Sequence, residues 1–192
     1  MCGRQRRWRR ATEVESARIG LVQLVSSQQV DRNLRSAETL MQDLRGVDAI
    51  FLPENFAALA NPDPRQLGKA EATPDGPIRS FLSEMAKRLD CWVFGGTLPT
   101  VERPDGSRVE GGRVRAASFV FDGEGKAVAR YDKIHMFDVD VADNQRQYRE
   151  SDTFEPGEDV RWVESPIGRV GLTVCYDIRF PELYRRLFFQ HS

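Results

Sequence analysis

Residues 18–52 run from an apolar stretch through a helical repeat to a second apolar stretch. Arg18-Ile-Gly-Leu-Val-Gln-Leu-Val25 has little polar interruption and reads as a strand. Asp31 then offers an N-cap to a helix whose apolar residues Leu34, Ala37, Met41 and Leu44 recur at three- and four-residue spacing. Ala49–Leu52 is the next strand, ended by Pro53. Strand–helix–strand in this order is the mark of layered α/β architecture.

The rest of the chain keeps to that plan. Residues 61–77, rich in Pro, Asp and Gly, read as an excursion over the surface. Ile78, Phe81, Leu82, Met85, Ala86 and Leu89 follow helical spacing. Cys91–Thr97 is a further buried strand in which Gly95 and Gly96 permit close backbone approach. Residues 113–121 and 126–131 flank Asp122-Gly-Glu-Gly125 as a hairpin, and residues 138–159 form a long polar connection of the kind that is usually functional. After a tight turn at residues 165–168, Val170–Val174 read as a strand and Pro181-Glu182 as the start of a helix. Leu183, Tyr184, Leu187 and Phe188 give that helix an apolar face with nothing after it to cover it.

The 192 residues suffice for one domain with a substantial core. Lys+Arg 28 against Asp+Glu 29 leaves a net charge of -1, so no overall field draws the chain to nucleic acid or to a membrane. No apolar run is long enough to span a bilayer. Cys2, Cys91 and Cys175 are an odd number without paired spacing, which fits reduced thiols in a cytoplasm. The two histidines, His135 and His191, belong to no Cys/His/Asp cluster, so no metal site is expected. Residues 1–17 read as a basic, disordered tail: Arg4, Arg6, Arg7, Arg9 and Arg10 surround Trp8 without the apolar core of a secretory signal. A targeting or anion-binding role for that stretch stays open. The folded domain is then residues 18–192.

Three motifs place chemistry at the carboxyl ends of apolar strands, where α/β sheets build their sites. They are Phe51-Leu-Pro-Glu54-Asn55-Phe56, Tyr131-Asp-Lys133-Ile-His135-Met-Phe-Asp138, and Gly171-Leu-Thr-Val-Cys175-Tyr-Asp-Ile-Arg179-Phe-Pro181-Glu182. A thiol on the sharp turn between a strand and a helix, with free backbone N–H groups just after it, is where a nucleophile and its oxyanion site would be built. Read singly, Cys175 would be a buried thiol, Lys133 a solvated surface lysine and Glu54 a helix cap or the partner of an arginine. Cys91, beside Trp92 in an apolar strand, reads as core. His135 suits a structural hydrogen bond near the site, and Asp177 suits steadying the turn after Cys175.

In these three motifs together the chain resembles the nitrilase superfamily of carbon–nitrogen hydrolases, from about Arg18 onward. Within it, the chain is similar to the amidases of deaminated glutathione and related ω-amides. The resemblance implies a four-layer αββα sandwich, here incomplete at the C-terminus, and pairing into a homodimer or higher homo-oligomer. It also implies a catalytic triad of Glu54, Lys133 and Cys175, with Glu150 in the place of the second family glutamate that orients the lysine and substrate.

The chemistry suits those residue types. A free thiol with a pKa of about 8.5 is little ionised at neutral pH. A lysine ammonium about 4 Å away would favour the thiolate by about 4 kcal/mol at an effective dielectric of about 20. Glu54 would accept the thiol proton, pass it to the leaving amine and then activate water. Lys133 and the Tyr176 N–H would hold the oxyanion. Arg179 would take a substrate carboxylate, or else form a structural ion pair; sequence leaves that contest even. The reading is a cysteine-dependent hydrolase of a small carboxylated amide, acting through a thioester and releasing ammonia, without metal or organic cofactor. Nitrile or N-carbamoyl hydrolysis on the same scaffold, and an inactive truncated relative, remain as alternatives.

Overall fold

The structure, a computed structural model, describes residues 16–140 and 147–189. Residues 1–15 of the basic stretch read as a tail, together with Cys2 and His191, lie outside the described residues. The chain opens with β1 (Ile19–Leu21), α1 (Val30–Gln42) and β2 (Ala49–Phe51), with β1 and β2 parallel. Then come α2 (Pro64–Ala70), α3 (Pro77–Leu89), β3 (Trp92–Phe94), β4 (Leu98–Thr100), β5 (Arg115–Phe121) and β6 (Ala127–Asp132). The last elements are β7 (Asp138–Asp140), β8 (Gln147–Arg149), β9 (Trp162–Ser165), β10 (Gly168–Gly171) and α4 (Pro181–Phe189).

The main sheet runs β1-β2-β3-β5, with β4 following β3 along one edge of β5 and β6 on its other edge. β1, β2 and β3 are parallel, and β5 is antiparallel to both β3 and β6. β6 therefore runs the same way as β2 and β3. The residues that follow β2 and β6, which include Glu54 and Lys133, emerge at the same end of the sheet.

The strands read as unbroken apolar runs because both sheet faces are covered. Ile50, Leu52, Val93, Ala117, Phe119 and Phe121 point to one side, where Ala37 and Met41 of α1 and Ile78, Leu82, Met85 and Leu89 of α3 complete the larger core. Ala49, Phe94, Val120 and Tyr131 point to the other side, against Val163, Leu172 and Val174 from the β9–β10 hairpin and the segment after it. Gly171 faces away from this second core, and a Cβ there would lie 2.9 Å from Leu187 of α4. The order of layers is thus helices, six-stranded sheet, two-stranded sheet, helix: the αββα arrangement expected from the resemblance.

Several boundaries differ from the sequence reading for local reasons. β1 ends at Leu21, well short of Val25, because as an edge strand it has only the three residues of β2 to pair with. Leu21 is 75% and Val25 98% exposed. α1 begins at Val30, so Asp31 lies in its first turn, where its charge favours the helix dipole, and is not its N-cap. The surface excursion at 61–77 contains α2: Asp63 accepts the Gln66 N–H at 2.8 Å and Pro64 occupies the first helical position. The fully buried Glu71 then accepts the N–H groups of Ile78 and Arg79 at 2.7 and 3.1 Å, capping α3. The Val170–Val174 run pairs only as far as Gly171.

One glycine fixes the geometry beside Glu54. Gly96 has φ +56, and a Cβ there would sit 2.0 Å from the Pro53 carbonyl oxygen. The turn after β3 can press against the turn after β2 only without a side chain. The next residue, Thr97, takes the Asn55 N–H on its hydroxyl at 2.8 Å and so ties the two turns together. Gly106, at φ +83 with nothing within 4 Å, carries the dihedral requirement without the collision. In urea titration Gly106→Ala should cost about 1 kcal/mol, and Gly96→Ala clearly more. Equal losses would refute the close-approach account.

Candidate active site

Lys133 follows β6 directly, and its own N–H donates to the Ala116 carbonyl at 3.0 Å, so it keeps strand geometry and turns inward. Its side chain is only 2% exposed. An ammonium so far from water needs anionic partners, and it has two. Nζ donates to Glu54 Oε1 at 2.8 Å and to both oxygens of Glu150 at 2.9 Å. Burial works to lower the Lys133 pKa, but the hydrogen bonds and charges of Glu54 and Glu150 outweigh it and leave the ammonium above its ordinary value.

Glu54 is carried on the turn after β2 and Glu150 on the connection that sequence read as a polar loop. That connection contains the antiparallel pair β7–β8, followed by a short 3₁₀ turn at Glu150–Asp152. The hairpin lets Glu150 return toward Lys133: Oε2 also accepts the Phe137 N–H at 2.6 Å, and Asp138 accepts the Ser151 N–H at 3.0 Å.

Cys175 opens the 3₁₀ turn Cys175–Arg179 with φ +49, a left-handed conformation that non-glycine residues adopt at a cost. The thiol is exposed and, together with Glu54, borders a cleft of about 180 Å³ between the two sheets. Phe51 and Phe94, stacked at 4.2 Å, line its apolar wall, and Thr97, Ser118 and Thr173 are its hydroxyl-bearing residues. The strained turn is held by Asp177, which is 0% exposed. Its carboxylate accepts the Val174 N–H at 2.9 Å, the Tyr131 hydroxyl at 2.6 Å and the His135 N–H at 3.0 Å, and lies 2.7 Å from His135 Nδ1. His135 also stacks on Phe180 at 3.7 Å. One carboxylate thereby binds the turn bearing Cys175 to the strand leading into Lys133. Sequence gave His135 and Asp177 separate supporting roles; Tyr131, buried and two residues before the lysine, sent no signal of its own.

The environment of the thiol differs from the one expected. Burial, the negative charge of Glu54 and a hydrogen bond to Glu54 all push the Cys175 pKa up; Lys133 pulls it down but does not prevail. Burial is the larger cause, and the surrounding charge adds to it. Lys133 already serves two carboxylates, so the three groups beside the sulfur carry one net negative charge. Burial and the two carboxylates thus work against the lysine-stabilised thiolate expected from the sequence. The other two candidates stand outside the cluster. The Tyr176 N–H makes no hydrogen bond to a described residue, and its ring packs edge-on against Phe137 and Phe180. Arg179 is exposed, does not border the cleft, and forms no ion pair among the described residues.

The family profile described as carbon-nitrogen hydrolase matches residues 18–191. The chain belongs to the carbon–nitrogen hydrolase family. It is 40% identical over 177 residues to a deaminated glutathione amidase of Yersinia enterocolitica, covering 91% of this chain and 59% of that protein. It is 33% identical over 170 residues to a chloroplastic omega-amidase of Arabidopsis thaliana, covering 86% of this chain and 44% of that one. Its structure superposes on the crystal structure of Saccharomyces cerevisiae Nit3, a member of branch 10 of the nitrilase superfamily, with a TM-score of 0.67 and 28% identity, over 87% of this chain and 58% of Nit3. The chain thus spans about half the length of these relatives, from 44% to 59%. No helix among the described residues is long and apolar enough to cross a membrane.

Thiol alkylation tests the electrostatics. Iodoacetamide should label Cys175, whereas Cys91, buried and pushed up to about 11, should stay protected while the chain is folded. Because Glu54 raises the Cys175 pKa, Glu54→Gln should move the alkylation profile of Cys175 to lower pH. A shift to higher pH would show that Glu54 favours the thiolate.

Proposed function

We propose that the protein to which this chain belongs hydrolyses a non-peptide C–N bond of a small carboxylated amide through a thioester on Cys175. The observation that carries the reading is the buried ammonium of Lys133 clamped between Glu54 and Glu150, with Glu54 and the Cys175 thiol bordering one cleft. The amidase relatives support the reaction class.

In this reading Glu54 takes the thiol proton as the sulfur attacks the amide carbon. The developing oxyanion is held by Lys133 and the Tyr176 N–H, each donor contributing on the order of 10²–10³ in rate. The C–N bond then breaks, and Glu54 returns its proton to the nitrogen, which leaves as ammonia. Water enters, gives a proton to Glu54 and attacks the thioester; the C–S bond breaks and the sulfur recovers its proton. Glu150 keeps the lysine ammonium in place throughout. Arg179, with no protein partner among the described residues, is available for a carboxylate at the far end of the substrate.

Glu54→Gln should lower kcat by about 10²–10⁴. Intact mass of substrate-treated protein should reveal an acyl adduct on Cys175, and none in Cys175→Ala. Arg179→Ala should raise KM for ω-amide acids and leave neutral amides unaffected; indifference of both substrates would remove Arg179 from the site.

We further propose that copies of the protein associate through α4. Leu183 is buried and Leu187 meets Gly171, while Tyr184, Phe188 and Phe189 stand exposed on the outer layer. Sedimentation velocity should show a dimer or larger species that Phe188→Glu weakens; a monomer at every concentration would exclude it.

A further inference from the structure

A second cavity, of about 470 Å³, opens beside the start of β5 and the end of β6 and shares no lining residue with the cleft at Cys175. Four guanidiniums and two largely buried carboxylates form its floor. Arg103 grips Glu155 with two hydrogen bonds, at 2.7 and 3.0 Å. Arg115 Nη2 reaches the same carboxylate at 2.5 Å, and Arg113 Nη2 stops 3.6 Å away. One carboxylate therefore serves three guanidiniums. Arg130 and Asp132 form a separate two-bond pair, at 2.7 and 3.0 Å.

Two features mark this floor as unsatisfied. The Arg115 side chain is 7% exposed, yet its Nε has no hydrogen-bond partner; Asp132 Oδ2, at 3.9 Å, is beyond reach. Arg113 is half-buried, and its nearest acidic oxygen is too far for a hydrogen bond. Four cations against two anions leave an excess of two positive charges at the base of the cavity. Asp105, Glu158 and Asp159 also line it, but all three are exposed, so water screens them. Asp159 is further engaged by Arg161 at 2.6 Å, and Asp105 by the N–H and hydroxyl of Ser107.

We propose that this cavity binds a small doubly charged oxyanion on Arg113 and Arg115. The guanidinium fork matches the spacing of carboxylate or phosphate oxygens, and a dianion would balance the floor. The site lies apart from Cys175 and does not depend on the reaction proposed above.

Isothermal titration of the full chain at constant ionic strength tests this, with inorganic phosphate and succinate as separate probes. At least one probe should bind saturably to a single site, which identifies the oxyanion class. Arg113→Gln, a change at a half-buried position, should weaken that binding by about tenfold or more. Arg179→Gln and Cys175→Ser should leave it unchanged. The proposal fails if neither probe saturates below about 10 mM. It fails equally if binding survives Arg113→Gln or is lost with Arg179→Gln, which would place the anion elsewhere.

Discussion

An ammonium ion removed from water governs this structure. Leaving Lys133 unpaired at 2% exposure would cost several kcal/mol, so its neighbours have to be anionic and close. That requirement reaches far along the chain. It brings the turn after β2 inward with Glu54, which in turn needs a bare backbone at Gly96 to let the next turn pass. It also depends on the antiparallel β7–β8 pair that delivers Glu150. Two glutamates 96 positions apart in sequence are thereby fixed by one nitrogen.

The same clamp decides the state of the sulfur. With two carboxylates against one ammonium, the charge around the thiol adds to its burial in raising the Cys175 pKa, and Lys133 alone does not offset them. Glu54 is then more than a spectator charge, since it borders the same cleft as the thiol and its charge acts on it. A nucleophile kept as a thiol is also less open to oxidation than a standing thiolate, because the thiolate is the reactive form.

The layered fold was legible because burial on both sheet faces writes itself as unbroken apolar runs, as at Ala49–Leu52 and Cys91–Phe94. The ends of elements were not, since they depend on where a neighbour stops. β1 loses its partner at Phe51, and the helix at Pro64 hides in a stretch whose Pro and Asp suggest only a loop. At the site, Glu54, Lys133 and Cys175 were readable as motifs at strand ends. The charge balance among them was not, because it depends on Glu150 arriving from a hairpin inside what reads as a polar connection. The convergence of Arg103, Arg113 and Arg115 on Glu155 was equally silent, as it joins residues 40 to 52 positions apart with no periodic pattern.

Asp177 has a mechanical consequence. The sulfur belongs to the second layer and the lysine to the first, and packed layers can slide by small amounts when temperature or a bound molecule changes the core between them. The buried carboxylate spans that seam, holding Val174 on one side and Tyr131 and His135 on the other. Nucleophile and ammonium therefore ride on a common rivet. Slippage elsewhere in the sandwich would carry them together and leave the distance between them nearly constant.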